Sequence, residues 1–409
     1  MSILPILQRR RERRLLRERA SSERQTRISL GCGLVFSILL GLGIFGFALG
    51  YASLTSDLPS IEALPALLDP PDGLLYQPSR IYDRTGQYLL TVLAPQDAPR
   101  QFLPLDSTQG EALAPDLVAL TLALTDPGFY SHPGYLLTGW TSPDLHPTLA
   151  QKLSADLLLW QEPASPRRAL RERILAAQIT ARFGREKILE WYLNTADYGR
   201  QAYGAQAAAQ LYFGKPASQL NLAEAALLVA VAQSPAINPL DAPEAATQRA
   251  RDLLNQLPAS AEVTAAQQAN LQYQTVAAPV SLAPAFTALA LSQLGQDVSR
   301  ARIARGGMIV ITSLDFERYQ QAQCALRIQQ ARLSGLPDPT DCQLLVDLAA
   351  LPPGPALDES AVSAVVLNPQ NGQVLAIVGE MRQGLESALL TGHRPGTSLI
   401  PFFYLAGFS

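Results

Sequence analysis

Histidine and cysteine are scarce in this sequence: three of each occur in 409 residues, with three Met and three Trp. Cys32, Cys324 and Cys342 are too few for a disulfide-built scaffold and lack close metal-ligand spacing. Three histidines exclude a His-rich metal site, and no metal ligands are assigned. Charged residues make up only 16%, against a usual ~25%. That excludes a highly charged nucleic-acid binder, so no nucleic acid is expected as a partner. A hydrophobic content of 48% excludes a wholly disordered chain. The length suits several domains of about 150 residues each.

The little charge there is lies unevenly. Residues 1–27 hold nine Arg and three Glu, a net of +6, which leaves −9 for the rest of the chain. Ile28 to Ser56 then carries no charged side chain. A bilayer-spanning helix needs about 20 apolar residues, and residues 28–54 supply them. Gly31, Gly33, Gly41, Gly43, Gly46 and Gly50 are costly in a soluble helix but common in membrane helices. A cleaved signal peptide is the competing reading, but its apolar core is shorter, about 7–15 residues. The basic flank places the N-terminus in the cytoplasm and everything after Asp57 outside, by the positive-inside rule. Cys32 packs within the span. Cys324 and Cys342 then face an oxidising compartment. Two readings stand open for them: a disulfide, or two buried thiols.

Residues 55–114 read as a linker with a short hairpin, turned at Asp83-Arg84-Thr85-Gly86. From Pro115 the pattern is helical: Leu117, Leu120, Thr121 and Leu124 share one face. Pro127 ends that helix near Thr125. Ser165-Pro166 starts another, with Ser as N-cap and Pro at the first helical position. Asn221 and Glu224 form a capping box before Ala225–Ala232. Residues 115–257 are therefore mostly helical. Residues 258–282 read as a connecting segment, Gly306–Leu314 as a strand and Phe316–Leu333 as a helix. Ala361–Leu367 and Gln373–Val378 read as a hairpin.

The strongest stretch runs from Ile188-Leu189-Glu190-Trp191-Tyr192-Leu193-Asn194 through Tyr203-Gly204 and Tyr212-Phe213-Gly214-Lys215 to Leu220-Asn221-Leu222-Ala223-Glu224-Ala225-Ala226. In spacing and identity it resembles the family 51 peptidoglycan glycosyltransferases, as in the N-terminal half of class A penicillin-binding proteins. The resemblance implies a mainly α chain: an N-terminal transmembrane helix, a lysozyme-like helical glycosyltransferase domain over 115–257, a linker region over 258–360, and a small α+β C-terminal region. It implies a single-pass protein of the bacterial cell membrane that polymerises lipid II into glycan strands. Lipid II, glycan strands, the membrane and other cell-wall synthesis proteins are then the expected partners. In that reaction the acceptor sugar's 4-hydroxyl attacks the anomeric carbon of the growing chain and undecaprenyl pyrophosphate leaves.

Against that family the chemistry is altered. Its first motif is an adjacent Glu-Asp before a Phe, a His and a Gly. Asp126, Phe129, His132 and Gly134 match, but the catalytic Glu falls on Thr125, which has no useful basicity. Asp126, the neighbouring carboxylate about 100° away around a helix, and His132 are the alternative bases, with a structural hydrogen-bonding role as the plainer reading of His132. In the second motif Thr148, Gln151 and Leu153 survive, within His146-Pro147-Thr148-Leu149-Ala150-Gln151-Lys152-Leu153. The family's opening Gly falls on His146 and its Lys on Ala155, with Lys152 as the nearby replacement. The intervening loop, Tyr135 to Leu145, has only 11 residues. In the third motif Arg168 and Glu172 match while the Lys is Ala169. By resemblance Glu172 assists the departing pyrophosphate, with Mg or Mn as its cation if the site is active. The bland reading makes Arg168 and Glu172 an i,i+4 ion pair.

Residues 361–409 resemble the start of the family's transpeptidase domain. There the nucleophilic Ser falls on Thr397 and its Lys on Ile400, so acylation is not expected. The sequence stops after Ser409, which reads as a truncated domain. Two functions compete: a glycosyltransferase with impaired or lost catalysis, and a non-catalytic scaffold that binds lipid II or glycan. Thr125 separates them.

Overall fold

The computed structural model describes residues 34–71, 73–95, 98–106, 108, 110–138, 145–274, 281–342 and 363–379. The basic tail, Cys32 and the segment around Thr397 lie outside them.

The chain is mainly α-helical. Helix α1, Leu34–Thr55, is 22 residues long with a mean hydropathy of 2.1. At 1.5 Å per residue it reaches about 33 Å, enough for a hydrocarbon core of about 30 Å. No residue of its apolar window is buried in the protein. Its C-terminal end, in contrast, is held. Arg167 donates to the Ser53 carbonyl (3.0 Å), and Arg171 to the carbonyls of Leu54 (3.0 Å) and Asp57 (2.9 Å). The Ser53 and Leu54 carbonyls are among the orphan acceptors at the negative end of the helix dipole. Arg171 is itself buried and also pairs with Glu162 at 3.0 Å. Its hydrogen bond holds the Asp57 carboxyl below the usual carboxylate range.

The helical body follows from one sequence feature. Helix α8, Leu222–Gln233, is apolar all round, and Ala223 and Ala225 to Ala232 are all buried. A helix without a polar face must be surrounded. Helices α3 (Pro115–Thr125), α9 (Pro243–Leu254) and α10 (Ala261–Gln268) pack on it. Helices α2 (Leu64–Leu68), α4 (Leu149–Leu153), α5 (Pro166–Phe183), α6 (Arg185–Thr195) and α7 (Ala205–Phe213) complete the body. Trp191, Tyr198 and Tyr212 are its largest buried aromatics. Ser165 and Asn221 cap α5 and α8 as their sequence suggests, the latter with the full capping box.

A second core is built from distant segments. Strands β1 (Ser79–Tyr82) and β2 (Leu89–Leu93) form the antiparallel hairpin, and β3 (Ile309–Ile311) adds to β1 in parallel, with Ile81 opposite Val310. Helices α11 (Pro284–Asp297), α12 (Arg300–Arg305) and α13 (Phe316–Leu333) surround the sheet. The hairpin of β4 (Ser363–Leu367) and β5 (Val374–Gly379) rests on α13.

Two expectations are corrected. Residues 258–282 are not merely a connection: Ser260 caps α10, whose Val263 and Ala266 are buried. Ala and Gln are good helix formers, and a stripe of only two apolar residues hides the amphipathicity. The strand expected over Gly306–Leu314 shrinks to three residues. Gly306 and Gly307 have φ of +111° and +73°, and a Cβ on Gly306 would sit 2.5 Å from the Gln77 carbonyl oxygen. That backbone cannot be strand.

Cys324 and Cys342 form a disulfide, with Cα atoms 5.2 Å apart and 18 residues between them in sequence. Closing such a loop contributes about 3 kcal/mol. The double substitution Cys324→Ser/Cys342→Ser is therefore expected to make the α13 region cleavable in limited proteolysis at protease levels that spare the oxidised protein. An unchanged digestion pattern would contradict this.

Candidate active site

Helix α3 ends at Thr125, which is half-buried at its last position. Asp126 caps it and is almost wholly buried. One carboxylate oxygen accepts from His132 Nε2 at 2.9 Å, the other from the Leu149 N–H at 3.1 Å. His132 Nδ1 in turn accepts the Gly134 N–H at 3.0 Å. These partners assign the proton of the ring to Nε2. Gly134 has φ +96°, and a Cβ there would lie 2.1 Å from Thr180 Oγ1 and 2.7 Å from the Ala176 carbonyl. Only glycine fits. Phe129 is buried in the core. Asp126 and His132 thus build the loop, with their hydrogen-bonding capacity directed inward.

The second motif starts at Thr148, the N-cap of α4, whose hydroxyl accepts the Gln151 N–H at 3.1 Å and donates to the Gly134 carbonyl at 2.7 Å. Gln151 is fully buried. Its Oε1 accepts from the Leu136 N–H (3.0 Å) and its Nε2 donates to Glu172 Oε1 (2.8 Å). Glu172, on α5, is 1% exposed, and its other oxygen lies 2.8 Å from His146 Nδ1. Residues of all three motifs therefore meet in one hydrogen-bonded network. Arg173 pins the loop before it, donating to the carbonyls of Leu136 and Thr138, each at 2.8 Å. Sequence reasoning missed His146 and Arg173 as site residues. The signal for His146 was present: an imidazole where the resembled family has glycine.

The positive groups divide. The Lys152 ammonium donates to the Ala232 carbonyl at 2.9 Å and lies over the Tyr192 ring. That carbonyl belongs to the negative end of α8. Among the described residues Arg168 and Glu172 form no ion pair; the Glu172 oxygens are bonded by Gln151 and His146. Arg168 reaches the Ala155 carbonyl at 3.4 Å, and its buried Nε has no partner. Among the described residues no carboxylate neutralises it. The cation of the third motif thus stands beside the position where the second motif lost its own. A π-helical turn, Ser154–Leu158, follows α4 there, an irregularity frequent at functional sites.

Asp156 in that turn pairs with Arg305 of α12 at 3.1 Å. Arg305 and Arg100 both lie over the Tyr203 ring. Burial pulls the Arg100 guanidinium down to about 10 and pushes the Tyr203 phenol up. These contacts join the second core to the back of the site.

Among the described residues no three His, Cys, Asp or Glu side chains converge as a metal site. Magnesium and manganese take oxygen ligands; Glu172 is the carboxylate of this network, held by Gln151 and His146. A cavity of about 550 Å³ opens beside the end of α3, lined by Leu122, Asp126, Phe129, Tyr130 and Leu257.

Residues 146–258 match the Transglycosylase family. The second and third motifs lie inside that stretch, Thr125 and Asp126 outside it. The chain is 33% identical over 222 residues to penicillin-binding protein 1A of Rickettsia conorii, covering 50% of this chain and 26% of that one. It is 29% identical over 325 residues to the Rickettsia prowazekii protein of the same name (72% and 38%), and 30% over 240 residues to that of Vibrio cholerae (55% and 27%). The chain thus spans between 26% and 38% of the length of these relatives. A solved structure of penicillin-binding protein 1A from Haemophilus influenzae aligns with 63% of this chain and 30% of its own, at 20% identity and a TM-score of 0.32.

Proposed function

We propose that the chain carries a glycosyltransferase domain of the class A penicillin-binding protein kind and is a membrane-anchored peptidoglycan glycosyltransferase whose polymerisation of lipid II is slow. Its N-terminus is cytoplasmic and its helical body lies outside, where α1 and its Arg171 clamp hold the site near the membrane surface. The observation that carries this reading is the Gln151–Glu172 hydrogen bond, which joins the second and third motifs in a rigid buried pair. Such preorganisation favours the transition state because nothing has to be reorganised when charge develops. Arg168 then supplies positive charge to the departing pyrophosphate.

The rate is low because position 125 offers a hydroxyl. Loss of a general base costs about 10²–10⁴-fold. A second reading, a non-catalytic scaffold holding lipid II or glycan strands for cell-wall synthesis proteins, draws on the inward commitment of Asp126. The two are separated by incubating the detergent-purified full chain with labelled lipid II, with and without Mg²⁺ or Mn²⁺. Slow appearance of glycan polymer on a gel, abolished by Glu172→Gln, is the expected result. Lipid II binding with no polymer after prolonged incubation makes the protein a scaffold.

A further inference from the structure

We propose that His146 is the proton acceptor of this site, oriented by Glu172 and working in place of the carboxylate missing at position 125. The inference rests on the polymerisation reading above and assigns its general base.

The geometry of the ring carries the argument. His146 Nδ1 lies 2.8 Å from Glu172 Oε2, and a carboxylate accepts, so the proton of the neutral ring sits on Nδ1. Nε2 then carries a lone pair. Among the described residues nothing donates to it, and the side chain keeps 19% of its surface accessible. His132 is the contrast: both its nitrogens are consumed and it is buried. His393, the third histidine, lies outside the described residues. Glu172 is in turn fixed by Gln151, and Gln151 by Leu136 and Thr148. The imidazole is therefore held by a chain of buried hydrogen bonds. A buried carboxylate that fixes the tautomer and steadies the imidazolium is how acid–imidazole pairs prepare a base.

The placement is also suitable. Asp126 bonds the N–H of Leu149, which brings the end of α3 against the start of α4. Position 125 precedes that contact by one residue on its side, and His146 precedes it by three on the other. The lost base and the gained imidazole flank one junction.

The step balances. The acceptor 4-hydroxyl oxygen bonds to the anomeric carbon, and the anomeric C–O bond to the lipid pyrophosphate breaks, its electron pair leaving with the pyrophosphate. The hydroxyl proton passes to His146 Nε2. The imidazolium, paired with Glu172, later releases it to solvent.

The experiment compares His146→Gly and His146→Asn with the parent protein in the lipid II polymerisation assay. Asn retains an N–H donor for Glu172 but has no basic nitrogen. Both variants are expected to lose about 10²-fold or more in rate, to bind lipid II as before, and to recover in part with added imidazole in the Gly case. Full activity of His146→Asn would reduce the residue to a partner of Glu172 and overturn the proposal, as would polymerisation raised in His146→Gly. Failure of the underlying reading looks different. A parent protein that is silent even as Thr125→Glu is no polymerase, whereas a silent parent that Thr125→Glu awakens keeps the site and refutes His146 alone.

Discussion

Thr125→Glu is expected to raise the polymerisation rate by at least about 10²-fold. The substitution adds a carboxylate at the last residue of α3, on a half-buried position beside the α4 N-terminus. Positive potential from that helix end favours the ionised form there. The surrounding hydrogen bonds do not involve the Thr125 side chain, so the new group displaces none of them. Initial rates on labelled lipid II measure the gain. An unchanged rate would mean that the shortened loop between the first two motifs, or the loss of lysine at Ala155, limits turnover more than the base does. With His146 already accepting the proton, the gain falls at the lower end of the range.

Asp126→Ala is expected to act on stability. It strands two buried donors, the His132 Nε2–H and the Leu149 N–H, each costing about 1–3 kcal/mol. A loss of about 3 kcal/mol lowers the melting temperature of a body this size by about 6–12 °C. Circular dichroism melting in detergent reads it. A variant that melts like the parent yet makes no polymer would identify Asp126 as the base and would contradict its role as a loop anchor.

The glycosyltransferase body was legible because its signals are local. Ser165-Pro166 and Asn221 with Glu224 announce helix starts through groups a few residues apart. The stretch from Ile188 to Ala226 preserves spacing and identity together. Helix α10 was not legible, since two buried residues give no period. The three-stranded sheet was half legible: β1 and β2 share a turn, but β3 joins from more than two hundred residues away. The partner of Lys152 was not legible for a related reason. Sequence distance placed it near Ala155, and only folding brought the Ala232 carbonyl within 2.9 Å.

Residue identity alone determined that position 125 offers no carboxylate, that residues 28–54 lack charge, and that three motif remnants occur in order. These are facts of composition and spacing, complete before the chain folds. Tertiary structure decided which partners the remaining groups take. It committed Asp126 to His132 and Leu149, joined Gln151 to Glu172, and set His146 on the same carboxylate. A hydrogen bond depends on a few tenths of an ångström and on angle, and no one-dimensional pattern contains either.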